Sequence, residues 1–481
     1  RPLIFYLYRF LILNRLNKTQ SNLILFITCL LSRAITSIYY IEDIDSLRFA
    51  LGVQDYSIIN LQPHFPGYPI FIFFAKIVFF LSNSLGITFS IMGGISIFII
   101  IHFTCKLARI ELNSPAGLFC SAIIFFNPLL WILSNRYMPD ILGAAIMVAA
   151  LYFLILHDDF NYKLIFGTFL IGILAGTRLS YLPALIVPAA IAIYNSKIRK
   201  NLFYSFVFGN IVWLLPLLWV TGWNDLIIAA SKQTIGHFTD FGGTLITENN
   251  WSLRLKNFSS SIWADGFGGY LAGRHWLTII LSTLFAFILM LSANTIIKDF
   301  QNNEVTKLLF YSLIIYSIWI LLFQNVIYKS RHVIPVIIFL LYFLANSKST
   351  SSWENRASYI FSSLYIISLV FVSIILVNQH RSPSAISKLK DHLISMDTND
   401  KIVCIPLVKY YLETHGINAN YIDVNSIDKN NIPDTLNGAI VIGNQDELFN
   451  DSFQVISDSS YYHNPYVNRM WPEIHTFRLS K

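Results

Sequence analysis

The stretch "EDIDSLRFA" at positions 42–50 sets Glu42, Asp43 and Asp45 directly after an apolar run that ends at residue 40. Acids at a membrane edge are costly to keep and are functional suspects by default. A carboxylate in that position is placed to act as a base toward a substrate held in lipid. A solvated cap marking the membrane boundary would use the same residues. Arg178 in "AGTRLSYLP" is flanked by apolar runs and needs an anion, either a phosphate gripped bidentately or a protein carboxylate. "YKSRHVIP" adds Lys329, Arg331 and His332 in a short loop, suited to a phosphate or to snorkelling toward lipid headgroups.

Other polar groups stand near these. "QPHFPGYP" is too rich in proline for a regular element and makes a rigid turn carrying His64 and Tyr68. His64 there is either a phosphate contact or a structural hydrogen-bonding group. Arg136 and Asp140 of "SNRYMPD" either pair with each other or serve the site, and His237 of "GHFTDFGGT" completes the candidates. "DGFGGYLAG" lacks the strand before and the helix after that a nucleotide-binding glycine loop requires, and reads as a flexible loop.

The elements that must position these residues are membrane helices. The 481 residues are 55% hydrophobic and 13% charged, with a mean hydropathy of +0.56, and apolar runs recur at membrane-spanning length. They fall at 23–40, 85–105, 116–135, 141–156, 164–175, 182–194, 202–221, 277–297, 308–323, 334–345 and 359–377, about eleven crossings. The run at 68–82 is read as interfacial or re-entrant, because counting it as a crossing would invert everything downstream. The pieces at 164–175 and 182–194 are short and are expected to form a hairpin that meets the outer interface near Arg178. The net charge of +7 fits basic residues at cytoplasmic helix ends and not a nucleic-acid partner. Lys and Arg are denser in 1–20, 106–114, 157–163, 197–200, 298–307 and 347–356 than in 41–68, 136–140, 222–275 and 326–333. That bias places the N-terminus in the cytoplasm and the C-terminus outside.

Two expected domains follow: a transmembrane domain, 1–377, with outer loops 41–68 and 222–275, and an extracytoplasmic α/β domain, 378–481. In the latter, charges and Asn/Asp rise and short strand-like runs such as "KIVCIPL" and "GAIVIG" appear. The segment "RPLIFYLYRF" is interrupted by Arg and does not read as a plain signal peptide. Cys29, Cys105, Cys120 and Cys404 give no paired framework. No metal-ligand set stands out, although the outer acids are equally compatible with a divalent ion.

The ordered segments "DSLRFALGV", "QPHFPGYPIF", "NPLLWILSNRYMPD", "GILAGTRLSYLPAL", "GHFTDFGGT" and "SRHVIP" resemble the polytopic glycosyltransferases of the GT-C superfamily. The nearest likeness is to the branch grouped with protein O-mannosyltransferases and lipid A aminoarabinose transferases, over roughly residues 23–345. The resemblance implies an integral protein of the plasma membrane or endoplasmic reticulum that moves a sugar from a polyprenyl or dolichyl phosphate to an acceptor protein, glycan or lipid on the extracytoplasmic side. It implies a general base at Asp45, with Asp43 the fallback because "EDID" allows two alignments, and donor-phosphate contacts at His64, Arg178 and Arg331. A phosphodiester leaving group needs cations and an acceptor needs a base, so the residues independently suit this chemistry. The alternative is a polytopic transporter or lipid flippase. That class would place its ionisable groups near the bilayer midplane on broken helices, often in inverted repeats.

Overall fold

A computed structural model describes residues 17–156, 161–239, 243–326, 329–348, 356–396, 400–428, 432–449 and 452–481. The segment "RPLIFYLYRF" and part of "GHFTDFGGT" lie outside the described residues. The chain is an α-helical membrane protein with a small C-terminal sheet domain, and its apolar runs become helices.

Among the described residues, 6 helical stretches are long and apolar enough to cross a bilayer: Leu85–Leu107, Asn161–Asn195, Arg199–Thr221, Leu277–Asn302, Glu304–Phe323 and Arg356–Met396. The sequence reading counts about eleven because shorter and broken helices carry equally apolar runs. Pro115–Phe125 and Pro128–Asn135 are bent by 56° where Asn127 caps the second helix and Pro128 opens it. Ile334–Asn346, of 13 residues, rises only about 20 Å.

The expected hairpin at 161–195 is visible in its neighbours. Ser205 Oγ donates to the Ile165 carbonyl at 2.6 Å and Trp213 Nε1 to the Gly172 carbonyl at 2.9 Å. Asn161–Arg178 and Arg199–Thr221 therefore run parallel, and the chain between them must return. It does so through a 3₁₀ segment, Leu179–Leu185, and the helix Ile186–Asn195. Leu164, Ala192 and Leu202 meet in one apolar cluster at the far end.

Pro69–Ser82 does not cross. It leaves Tyr68 beside Arg178 and ends where Gly86 abuts the Ile38 carbonyl, so both its ends lie at one end of the bundle. Phe73, Phe74, Phe80 and Leu81 are exposed along it, as an interfacial helix requires. Close helix contact elsewhere depends on missing side chains: a Cβ on Gly93 would overlap the Ser134 backbone.

The C-terminal sheet has the order β2-β1-β3-β5-β4. β1 (Lys401–Cys404) pairs parallel with β2 (Asn420–Asp423) and β3 (Ile440–Ile442), while β5 (Glu473–Ser480) runs antiparallel to β3 and to β4 (Gln454–Tyr462). This domain shares a core with the first loop. In the helix Ile44–Gln54, Ile44 and Leu47 pack with Ile386, Leu389, Ile402 and Tyr411, while Phe49, Ala50 and Val53 pack with Phe71, Phe89 and Tyr137. The helix is wedged between the two domains.

The segments expected outside thus gather at one end: 40–69 meets 136–138 and 329–331, Arg254 meets Leu321, and Tyr411 donates to the Ile41 carbonyl. Cysteine labelling at Asn257 and Asp428 is expected to report one face of the membrane, and labelling at Asn161 and Lys298 the other. Finding Asn257 and Lys298 together would overturn this arrangement.

Candidate active site

Asp45 lies in the first turn of Ile44–Gln54, whose N-cap, Asp43, accepts from the Ser46 amide at 2.8 Å. Its Oδ2 receives Lys329 Nζ at 2.6 Å and Arg331 Nη2 at 2.9 Å, and Arg48 Nη1 stands 3.9 Å from Oδ1. Lys329 and Arg331 flank Ser330 at the 3₁₀ turn that opens the helix Ile334–Asn346. Burial alone would raise the Asp45 carboxyl, but Lys329 and Arg331 outweigh it and hold the group well below the usual carboxylate range. Burial, with Arg331 beside it, draws Lys329 down even though Asp45 opposes the shift.

A second group adjoins the first. Arg178 Nη2 pairs with Asp140 Oδ1 at 2.8 Å, Arg178 Nη1 donates to Tyr68 Oη at 3.2 Å, and Tyr68 Oη lies 3.1 Å from His64 Nε2. Gly143 makes room for the Arg178 stem, since a Cβ there would strike it. Tyr68 Oη accepts from Arg178 and shares a second hydrogen bond with His64 Nε2, whose direction is set by the histidine tautomer. Burial pushes His64 down to about 3, against the pull of Asp45, so the ring is neutral. Among the described residues three buried guanidinium donors in these two groups, Arg48 Nε, Arg178 Nε and Arg331 Nε, find no acceptor, and His64 Nδ1 and the acceptor Asp140 Oδ2 are likewise unpartnered. Buried donors are ordinarily satisfied, and three unfilled guanidinium N–H groups beside a carboxylate suit an anion.

The remaining acids do something else. Arg136 Nε meets Glu42 Oε2 at 2.7 Å and Arg136 Nη2 meets Asp43 Oδ2 at 3.0 Å. His380 Nε2 stands 3.3 Å from Glu42 Oε1, and Asn468 of the sheet domain donates to Asp43 Oδ2 at 3.2 Å. The Arg136–Asp140 pair is thus not formed, because each finds a nearer buried partner. Glu42 does not mark a solvated boundary, being 1% exposed. Burial would raise its carboxyl, but Arg136 and His380 bring it down to about 2. Asp43 has both oxygens committed, one to the helix cap and one to Arg136 and Asn468. His332 is buried, and its carbonyl accepts from Tyr316 Oη at 3.1 Å. His237 Nε2 is tied to the Phe323 carbonyl at 2.6 Å.

"DGFGGYLAG" is packed and not a loose loop. Asp265 is 4% exposed and meets Arg469 of the sheet domain at 2.6 Å, and Trp263 Nε1 donates to the Tyr270 carbonyl at 3.0 Å. Sequence reasoning overlooked Arg48, which the three-residue helical spacing from Asp45 signals, and Tyr181, 3.4 Å from Asp140. It also overlooked Asn468 and Arg469, for which no local signal exists. Among the described residues no group of three or more His, Cys, Asp or Glu is arranged to hold a metal ion.

Removing Arg136 strands two buried carboxylates. Arg136→Leu is expected to destabilise the protein by about 3–5 kcal/mol, read as a loss of thermal stability in detergent, and Glu42→Gln by less. Wild-type stability in Arg136→Leu would show that the buried pairs make no net contribution to stability.

No protein-family model matches the chain, and no curated protein matches it in sequence. Solved structures do. The chain is similar to ArnT from Cupriavidus metallidurans bound to undecaprenyl phosphate, with a TM-score of 0.52, and to the same protein in the apo state, with a TM-score of 0.56. Identity is 10% in each case, over 95% of this chain and 97% of that one. At that identity the likeness is one of fold alone, and its coverage takes in both the helices and the C-terminal sheet.

Proposed function

We propose that the protein is a membrane glycosyltransferase that takes a sugar from a polyprenyl phosphate, or from dolichyl phosphate, and transfers it to an acceptor on the extracytoplasmic side. The observation that carries this reading is the set of buried donors beside Asp45: Arg48, Arg178 and Arg331 each present an Nε–H without an acceptor among the described residues, at the end of the bundle where Lys329 also points. A phosphodiester supplies the missing oxygens. The neighbour of the same fold bound to undecaprenyl phosphate adds support for a lipid phosphate as ligand. The transporter alternative is disfavoured because the charged groups lie at one end of the bundle and not midway along it.

In this mechanism Asp45 is the general base, and its Oδ1, which has Arg48 at 3.9 Å and no closer ion pair among the described residues, is the oxygen open to the acceptor hydroxyl. Asp43 is not a second base, since both its oxygens are engaged. The hydroxyl attacks the anomeric carbon as the phosphate departs, so the configuration inverts and a β-phosphate donor gives an α-linked product. Arg178, Arg331 and Lys329 stabilise the charge that develops on the phosphate. His64, neutral, contributes a hydrogen bond. Tyr68 and Asp140 position Arg178, and His332 and His237 sit behind the site as structural groups.

Asp45→Asn keeps the shape but cannot take the proton, and turnover is expected to fall by about two to four orders of magnitude without loss of donor affinity. Full turnover in Asp45→Asn, or a product that retains configuration, would rule the mechanism out. Arg178→Ala or Arg331→Ala is expected to weaken donor binding by about 2–5 kcal/mol, with Lys restoring only part because the planar fork is lost. Unchanged donor affinity in folded Arg178→Ala would leave that residue as a partner of Asp140 alone.

A further inference from the structure

Lys329 and Arg331 are assigned above to a phosphate, yet both are already engaged. They converge on one oxygen of Asp45, at 2.6 and 2.9 Å from Oδ2, while Oδ1 has the more distant Arg48. The groups that face Asp45 are Arg48 on its own helix, Lys329 and Arg331 on the 3₁₀ turn, and His64 and Tyr68 on the proline-rich turn. Three cations therefore surround Asp45, with a neutral histidine beside them, and Asp43, the other acid that acts on Lys329, is itself paired with Arg136. A buried cluster with that imbalance is incomplete by itself, because unpaired charge in a low-dielectric site is strongly unfavourable.

We propose that Asp45 is an internal stand-in for the substrate phosphate: it holds Lys329 and Arg331 when no lipid phosphate is bound, and releases them to the phosphate as the sugar is transferred. This rests on the reading given under Proposed function and deepens it. The charges balance at every step. The acceptor oxygen bonds to the anomeric carbon and the bond from that carbon to the phosphate oxygen breaks. The electron pair stays on the phosphate, which passes from a monoanionic diester to a dianionic monoester. The hydroxyl proton goes to Asp45, which passes from anion to neutral acid. One negative charge has moved from Asp45 to the phosphate, the total is unchanged, and the two cations follow the charge over a short distance. A carboxylate so tightly paired is a poor base. It becomes a competent one when the phosphate draws its cations away, so the base is switched on by the donor it serves.

The arrangement has a consequence opposite in sign to ordinary mutagenesis of a charged site. Asp45 competes with the phosphate for the same cations, so neutralising it should tighten binding of the lipid phosphate. The test uses the full-length protein in nanodiscs, with undecaprenyl phosphate as probe and uncharged undecaprenol as control. Asp45→Asn, and Asp45→Ser as a second neutral variant, are expected to bind undecaprenyl phosphate at least about tenfold more tightly than wild type, with a larger thermal upshift on binding. The second measurement uses a polyprenyl sulfate, whose head group keeps one charge across the range. Binding frees Asp45 from its two cations and returns its depressed carboxyl toward the ordinary range, so wild-type affinity for it should rise as pH falls from neutrality into the acid range in which an unpaired carboxylate titrates, and the neutral variants should lose that slope. Neutral variants that bind equally or more weakly, with no pH slope in wild type, would overturn the hand-over while leaving the donor assignment standing. Binding of undecaprenyl phosphate no stronger than that of undecaprenol in every form of the protein would overturn the donor assignment and the hand-over with it.

Discussion

Two cations on one carboxylate oxygen hold together parts of the chain that sequence keeps far apart. Asp45 and its partners Lys329 and Arg331 are separated by 284 and 286 residues, and all are largely buried. Ions in such a place must be paired within a few ångströms or they destabilise the fold. The helix Ile44–Gln54 and the turn before Ile334–Asn346 must therefore stay in register. Much of the surrounding structure serves that register.

The apolar faces of Ile44–Gln54 do so from two sides, one seated in the sheet domain and the other against the bundle. Arg136 adds a second ionic tie, joining the start of that loop to the turn between the helices Pro128–Asn135 and Asp140–Ile155. The sheet domain reaches back with Asn468 to Asp43 and with Arg469 to Asp265. It is thus part of the scaffold of the candidate site and not an appendage. Burial of Asp265 raises its carboxyl to about 6, against the pull of Arg469 and Arg274.

The membrane helices supply the other half of the geometry. Those that approach the site are short or broken: the bend at Asn127–Pro128, the 3₁₀ segment after Arg178 and the 3₁₀ turn before Ile334. Each break lets polar backbone and side chains end within the protein and not in lipid, which is the condition under which irregular backbone is tolerated at membrane depth.

The sequence by itself determined the class and the main charges. Hydropathy at spanning length reports burial in lipid whatever the neighbours are, so the helices, the interfacial segment at Pro69–Ser82, the hairpin around Arg178 and the change to a sheet domain were all legible. The identity of the outer-edge ions was legible too, because such residues are rare enough in an apolar chain to stand out one by one. What sequence could not decide was pairing. Arg136 and Asp140 lie four residues apart and carry opposite charge, which suggests a local pair. Only the tertiary structure shows that Arg136 turns to Glu42 and Asp43 while Asp140 turns to Arg178. Glu42, Asp43 and Asp45 likewise look alike in "EDID". Their environments, a buried clamp, a helix cap tied to the sheet domain and a carboxylate shared by two cations, arise from contacts with residues 93 to 425 positions away. Charge interactions are set by distance in space and by exclusion of water, and neither is written in the local sequence.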